Sequence, residues 1–300
     1  MEETGQEVEV EVPEQKITPI KERYKSVFGG FLEVTGAKPE HPKTSIPVSI
    51  LPGWGEDRSV FESYIKDTAK AGRETLFVSH KGLREARFST ETYILPSGQG
   101  EIELPQQEID KAVSFLAFLN EKGIEKTDII APSQGSLSAL IVAGYYPERV
   151  RSVVLLGPAG LIGPDTPSEL LKRFSEKNKA DALDAIKNPE VRGPILKLFK
   201  SGTKFAAKHP IRALAEGVAV GKSDMSDLLH DIKQRENAPK IVIVASTDDT
   251  GFPMDRIQQM VKGGDIDGFI SARGKHDEVL YNGEFPKIVE GLLTKMEAKQ

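Results

Sequence analysis

The 300-residue chain contains no cysteine. That excludes disulfides, thiolate metal sites and a thiol nucleophile together, and it leans toward a reducing, cytoplasmic setting. No stretch approaches the roughly 18 consecutive apolar residues of a membrane-spanning helix. The opening Met1-Glu2-Glu3-Thr4-Gly5 is acidic where an export signal would be basic and then apolar, so a soluble cytoplasmic protein is expected. No block of Lys and Arg stands out. The net charge of −5 argues against a nucleic-acid partner, which would want a basic face.

What is present suits a folded domain: 38% hydrophobic and 28% charged residues, in a length that buries about 75% of the unfolded surface. Residues 1–16 read as an acidic, flexible tail in which Glu7-Val8-Glu9-Val10 alternates like a short edge strand. Val27 to Thr35 suggests a strand pair around Gly29-Gly30, and Ile46 to Leu51 is an apolar run ending in Pro52-Gly53-Trp54-Gly55. Alternating units follow. Helical spacing over Arg58–Ala71 is closed by Gly72, and Thr75–Ser79 is a β-branched and aromatic run. A helix opens at Pro105 and ends at Gly123. Asp128–Ala131 is a buried strand, Leu137–Tyr145 a helix and Val150–Leu156 another strand. Strand and helix in alternation predict a mostly parallel sheet covered on both faces.

The alternation breaks over residues 160–238, where helical patterns follow the loop Gly163-Pro164-Asp165-Thr166-Pro167 with no convincing strand. A helical insertion is expected there, between two parts of a core domain, 17–159 and 239–300. The sheet resumes with Lys240–Ala245 and Gly268–Ser271, and Pro286–Met296 closes the chain as a helix.

Three signals carry chemistry. Ala131-Pro132-Ser133-Gln134-Gly135 lies between a strand and a helix, with small residues two before and two after the serine. A sharp strand-to-helix turn of this kind projects its serine above the sheet, and the Gln134 amide at the helix N-terminus is placed to stabilise a developing oxyanion. The bland alternative is that Ser133 only caps the helix. His276 follows the last strand in Arg273-Gly274-Lys275-His276, where a general base for Ser133 belongs. Asp248 and Asp249 follow the Ile241–Ala245 strand, where a carboxylate would hold the imidazole in its working tautomer. Each could be an ordinary surface or turn residue. Together, in the order serine, acid, histidine and each after its own strand, they point to nucleophilic catalysis.

These segments resemble the α/β-hydrolase superfamily of serine hydrolases, over nearly the whole chain from about residue 25. Leu51-Pro52-Gly53-Trp54-Gly55 is similar to the family's His-Gly-x-Gly oxyanion segment, and Pro147-Glu148-Arg149-Val150 to its lead into the sixth strand. Asp249 to Arg256 is similar to its acid loop, and Gly274-Lys275-His276 to its Gly-x-His. The resemblance implies the α/β-hydrolase fold, with Ser133, His276 and Asp249 as triad and Asp248 as the alternative acid. It further implies oxyanion donors at the Trp54 and Gln134 backbone amides, and residues 160–238 as a lid. Two departures stand out: Pro52 replaces the usual His, and Pro132 precedes the nucleophile without an N–H to give to the sheet.

The expected activity is esterase-like: cleavage of an ester-type bond in a small or acyl-chain substrate through an acyl-enzyme on Ser133. It requires neither metal nor organic cofactor, and the oligomeric state stays open. Carbon–carbon bond hydrolysis, a cofactor-free peroxidase-like activity and a non-catalytic ligand-binding role are the alternatives. Leu170, Leu171, Phe174, Leu198, Phe199 and Phe205 are the insertion's candidates for lining an acyl pocket, against the plainer role of packing lid helices together. His41, His80, His209 and His230 are expected to be incidental, and Lys197, Lys200, Lys204 and Lys208 to form a solvated face.

Overall fold

The computed structural model describes residues 15–83, 85–163, 165–261 and 264–298. The short edge strand anticipated at Glu7–Val10, and most of the anticipated tail, lie outside these. Strands β1 (Ile17–Lys25) and β2 (Phe31–Pro39) form a hairpin whose turn holds Gly29 and Gly30, longer on both sides than its sequence suggests. The strands β3 (Val48–Ile50), β4 (Thr75–Ser79), β7 (Thr127–Pro132), β8 (Val150–Leu156), β9 (Lys240–Ser246) and β10 (Gly268–Ala272) complete an eight-stranded sheet of order β1-β2-β4-β3-β7-β8-β9-β10. From β4 to β10 every pairing is parallel, while β1 and β2 run antiparallel at one edge.

The central strands explain themselves by burial. Every residue of β7 and β8 is buried, as strands covered on both faces must be. Their side chains divide with a period of two. Ile129, Ala131, Val153, Leu155, Ile241 and Ile243 enter one core, and Ile130, Val154, Leu156, Val242 and Val244 the other. The first core is closed by α2 (Gln106–Lys122), α3 (Gly135–Tyr145), α7 (Ser226–Lys233) and α8 (Met254–Met260). The second is closed by α1 (Glu62–Lys70), α9 (Glu278–Tyr281) and α10 (Glu284–Glu297).

Between β8 and β9 lie α4 (Pro167–Lys187), α5 (Pro189–Lys208), α6 (Pro210–Lys222) and α7. The stretch is not uniform. Leu228, Leu229 and Ile232 of α7 pack in the main core beside α3, which α4 and α6 reach only through Leu170 and Val220 among their buried residues; α4 to α6 also bond the loops after β3 and β9. A two-stranded hairpin of β5 (Thr90–Ile94) and β6 (Glu101–Pro105) precedes α2 and was not anticipated. Pro105 therefore ends a strand as well as opening a helix. Among the described residues no helix is long and apolar enough to cross a membrane.

The strand order places the site. From β3 the chain moves to β4 on one side, then returns to β7 on the other. This reversal opens a crevice at the carboxyl ends of β3 and β7, the place where open α/β sheets accept ligands.

Candidate active site

Ser133 stands at that crevice, in the turn between β7 and α3. Its φ is +47°, the only positive value at a non-glycine position among the described residues. Such a conformation costs a non-glycine residue about 1 kcal/mol or more and persists only when its surroundings impose it. Here they do. The Ser133 N–H donates to Leu156 O (2.9 Å), and its carbonyl accepts from Ser136 N, Ser136 Oγ and Ala159 N. The turn can be this tight because position 135 is glycine. A Cβ there would lie 2.0 Å from Leu51 O, in the backbone of the neighbouring strand end.

Gly53 is required on similar grounds. A Cβ on it would stand 2.9 Å from Glu56 Oε1 and 3.0 Å from the Ser133 Cβ, so Gly53 lets the loop after β3 close against the serine. No acceptor among the described residues takes the backbone N–H of Trp54 or of Gln134. Gln134 begins the first turn of α3, whose amides carry the positive end of the helix dipole.

His276 lies in the loop after β10 and is buried. Its Nδ1 meets Asp249 Oδ2 at 2.6 Å. The other Asp249 oxygen accepts from the Gly251 and Phe252 N–H groups (2.8 and 2.9 Å), which fixes the carboxylate in the loop after β9. Asp248 behaves differently: its side chain is exposed, and only its backbone N–H is tied, to Gly274 O. Burial disfavours the His276 imidazolium, yet the charge and hydrogen bond of Asp249, with Asp277 adding, hold its pKa above the ordinary value. Phe252 and Phe174 flank the ring at 5.3 and 6.0 Å between centroids.

No hydrogen bond joins Ser133 Oγ to His276 in this structure. The two are nonetheless neighbours through one segment. Leu156 accepts from Ser133, and a Cβ added to the next residue, Gly157, would lie 3.1 Å from His276 Nδ1. Catalytic hydrogen bonds commonly tighten only when substrate is bound.

The helices above close the crevice. Phe174 of α4 reaches His276, Lys177 of α4 pairs with Asp277 and Asp181, and Arg173 donates to Gly251 O. Ser201 of α5 donates to Gly55 O, and the Trp54 indole donates to Ala213 O of α6 (3.0 Å). Phe205 packs edge-on against Trp54. Of the anticipated pocket-lining residues, Phe174 and Phe205 therefore face the site. Leu171 does not: it is 72% exposed and turned outward on α4. The lysines at 197, 200, 204 and 208 are exposed. Among the described residues no cluster of three or more His, Cys, Asp or Glu is arranged to hold a metal ion.

A family model described as the alpha/beta hydrolase fold matches residues 46–202. The chain belongs to the α/β-hydrolase family. The match runs from β3 through the serine turn and into α5. No curated protein matches the chain in sequence. Among solved structures, this α/β hydrolase is similar to a thermophilic esterase from Thermogutta terrifontis (17% identity, TM-score 0.59, covering 93% of this chain and 99% of that one). It is also similar to a hydrolase from Pseudomonas aeruginosa PA01 (14%, 0.60, 92% and 97%) and to the enol-lactonase from Burkholderia xenovorans LB400 (15%, 0.60, 88% and 97%). At such identities the likeness shows the shared fold.

One group at the site went unnoticed in the sequence. Glu56 is buried, and its Oε2 accepts from the Gly53 N–H at 2.6 Å. Burial, with Asp277 adding, pushes its pKa up to about 8 against the opposing Gly53 hydrogen bond, His276 and Lys81. The available signal was its position: an acid three residues after Gly53 can fold back onto that amide as a turn former does. Behind the serine turn, Gln134 Nε2 also donates to the buried Glu108, which pairs with Lys111. His80, one of the incidental histidines, is buried beside this group, bonds Lys111 O, and has its pKa lowered to about 3 by burial and the nearby cations.

Proposed function

We propose that the protein is a serine hydrolase that cleaves an ester-like bond in a small-molecule or acyl-chain substrate through an acyl-enzyme on Ser133. The observation that carries this reading is the left-handed backbone at Ser133, imposed between β7 and α3 beside two uncommitted amides. A helix cap needs no such strain. A nucleophile that must stand clear of the sheet does.

In the proposed reaction His276 takes the hydroxyl proton as Ser133 Oγ bonds to the carbonyl carbon, and the carbonyl π electrons move onto oxygen. The N–H groups of Trp54 and Gln134 hold that oxyanion. As it collapses, the bond to the leaving group breaks and His276 returns the proton to the departing oxygen. Water then adds to the acyl-enzyme with His276 again as base; the bond from the acyl carbon to Ser133 Oγ breaks, His276 returns the proton to Oγ, and the carboxylic acid leaves. Asp249 orients the imidazole and stabilises its charged form. Within residues 160–238, α4 to α6 form the cap over the acyl pocket, with Phe174 and Phe205 supplying its apolar surface.

Labelling with a fluorophosphonate, followed by mass spectrometry, tests the assignment. Adduct is expected on Ser133 and is expected to vanish in Ser133→Ala, which keeps its fold but loses esterase activity on a panel of acyl-chain lengths. Folded wild-type protein that takes no label, or Ser133→Ala with wild-type turnover, would overturn it in favour of a ligand-binding role.

A further inference from the structure

Glu56 has no assigned part in the chemistry above, yet it is built into the loop that carries the Trp54 amide. One carboxyl oxygen takes the Gly53 N–H at 2.6 Å, and the other crowds the same face of Gly53 as the Ser133 Cβ. The Glu56 N–H returns to Gly53 O at 3.4 Å, so backbone and side chain together close a turn of which Trp54 is an inner residue. Rotation of the Gly53–Trp54 segment would carry the Trp54 N–H with it. A displacement of about 1 Å in such a group costs on the order of 10²-fold in rate.

We propose that Glu56 is a positioning residue for the reaction: its carboxyl fixes the Gly53 amide so that the Trp54 N–H faces the reacting carbonyl, and its charge, when present, opposes the oxyanion. The proposal rests on the acyl-transfer reading of Ser133.

The surroundings decide when that charge appears. On its own loop Glu56 adjoins Asp57, and α1 brings the Tyr64 phenol near. The turn after β4 contributes His80 and Lys81, α2 contributes Lys111, and α6 contributes Arg212 and Glu216, all lining one small cavity with Glu56. From the loop after β10 come His276 and Asp277. His276 and Lys81 act against the rise in the Glu56 pKa, while the other cations are already paired with acids. Lys81 Nζ is held by Gly55 O and Ser201 Oγ, Lys111 by Glu108 and Glu216, and Arg212 by Glu216 and Leu83 O. With burial holding its pKa at about 8, Glu56 is uncharged at neutral pH and ionises as pH rises through that value. A negative charge then sits beside a site that must stabilise another.

The test compares Glu56→Gln and Glu56→Ala with wild-type enzyme by kcat, KM and pH profile on one ester substrate, with fluorophosphonate labelling of each. In Glu56→Ala, kcat is expected to fall about 10²-fold with KM within about threefold. Gln keeps an acceptor for the Gly53 N–H and cannot ionise. Glu56→Gln is therefore expected to recover most of the loss at pH 7 and to lack the descending limb near pH 8 that is expected of wild type. Glu56→Ala with near wild-type kcat, Glu56→Gln as impaired as Glu56→Ala, or an unchanged alkaline limb would each overturn the proposal. If Glu56→Ala does not fold, the profile of Glu56→Gln decides alone. Unlabelled wild-type Ser133 sinks the nucleophile assignment and this proposal with it, whereas labelled Ser133 with kinetically silent Glu56 variants sinks this proposal only.

Discussion

Two adjacent aspartates show how little residue type decides at the scale of a single side chain. Asp249 is buried, accepts two backbone amides and meets His276, while Asp248 points to solvent one position earlier. Asp249→Asn is expected to lower kcat by about 10⁴-fold, the scale of losing the carboxylate that sets a catalytic tautomer. Asp248→Asn is expected to stay within about twofold of wild type, and steady-state esterase kinetics on both proteins checks the contrast. The pH dependence follows from the same contact. In the proposed reaction His276 works as a base only when neutral, and Asp249 holds its pKa above the ordinary value despite burial. So kcat/KM should rise with pH along an acidic limb centred above the usual histidine value of about 6.5. In Asp249→Asn, with the burial penalty left unopposed by that charge, the limb should move to lower pH; a limb that stays in place would argue that another group titrates.

At the scale of the element, the serine turn joins two cores through one tight passage. Gly135 allows α3 to start against the end of β3, and Gly135→Ala would push a methyl into Leu51 O. Overpacking against backbone with no room to yield should cost about 3 kcal/mol, at the upper end of the usual range. Urea unfolding measures that loss, and activity should fall further than stability because Ser133 moves with the turn. The elements themselves were unevenly legible. The strands β7, β8 and β9 stood out because burial on both faces demands unbroken apolar runs. The hairpin β5–β6 did not, since Thr90–Ile94 is mostly exposed and only Ile102 and Leu104 of its partner strand point into the core. Its one clear sign was the turn-forming Pro96-Ser97-Gly98-Gln99-Gly100.

For the molecule as a whole, the question is how α4 to α6 stay over the crevice. Lys177 answers part of it: a buried ammonium of α4 bound to Asp277, beside the histidine, and to Asp181 on its own helix. Burial opposes its charge, but the two carboxylates hold its pKa above the ordinary lysine value. Lys177→Ala leaves both acids without their cation, a loss on the order of 3 kcal/mol for a buried pair. Limited proteolysis is expected to cut within residues 167–187 sooner than in wild type, while Asp249 and His276 keep their pairing. Equal cutting rates would show that Phe174 and Arg173 suffice to hold α4 down.

The sequence by itself determined the alternation of strand and helix, the helical interruption and the position of Ser133, His276 and an aspartate after their strands. These are local matters: periodicity, glycine and proline punctuation, and chain order follow from neighbours a few residues apart. Only the tertiary structure decided which aspartate meets the histidine, that Ser133 is held at positive φ, and that α7 belongs to the main core. It alone buried Glu56 beside the serine turn, where its carboxyl takes the Gly53 N–H and its pKa is pushed up. Each of these depends on burial and on partners brought together from distant segments, and a carboxylate's surroundings are written nowhere in its own stretch of chain.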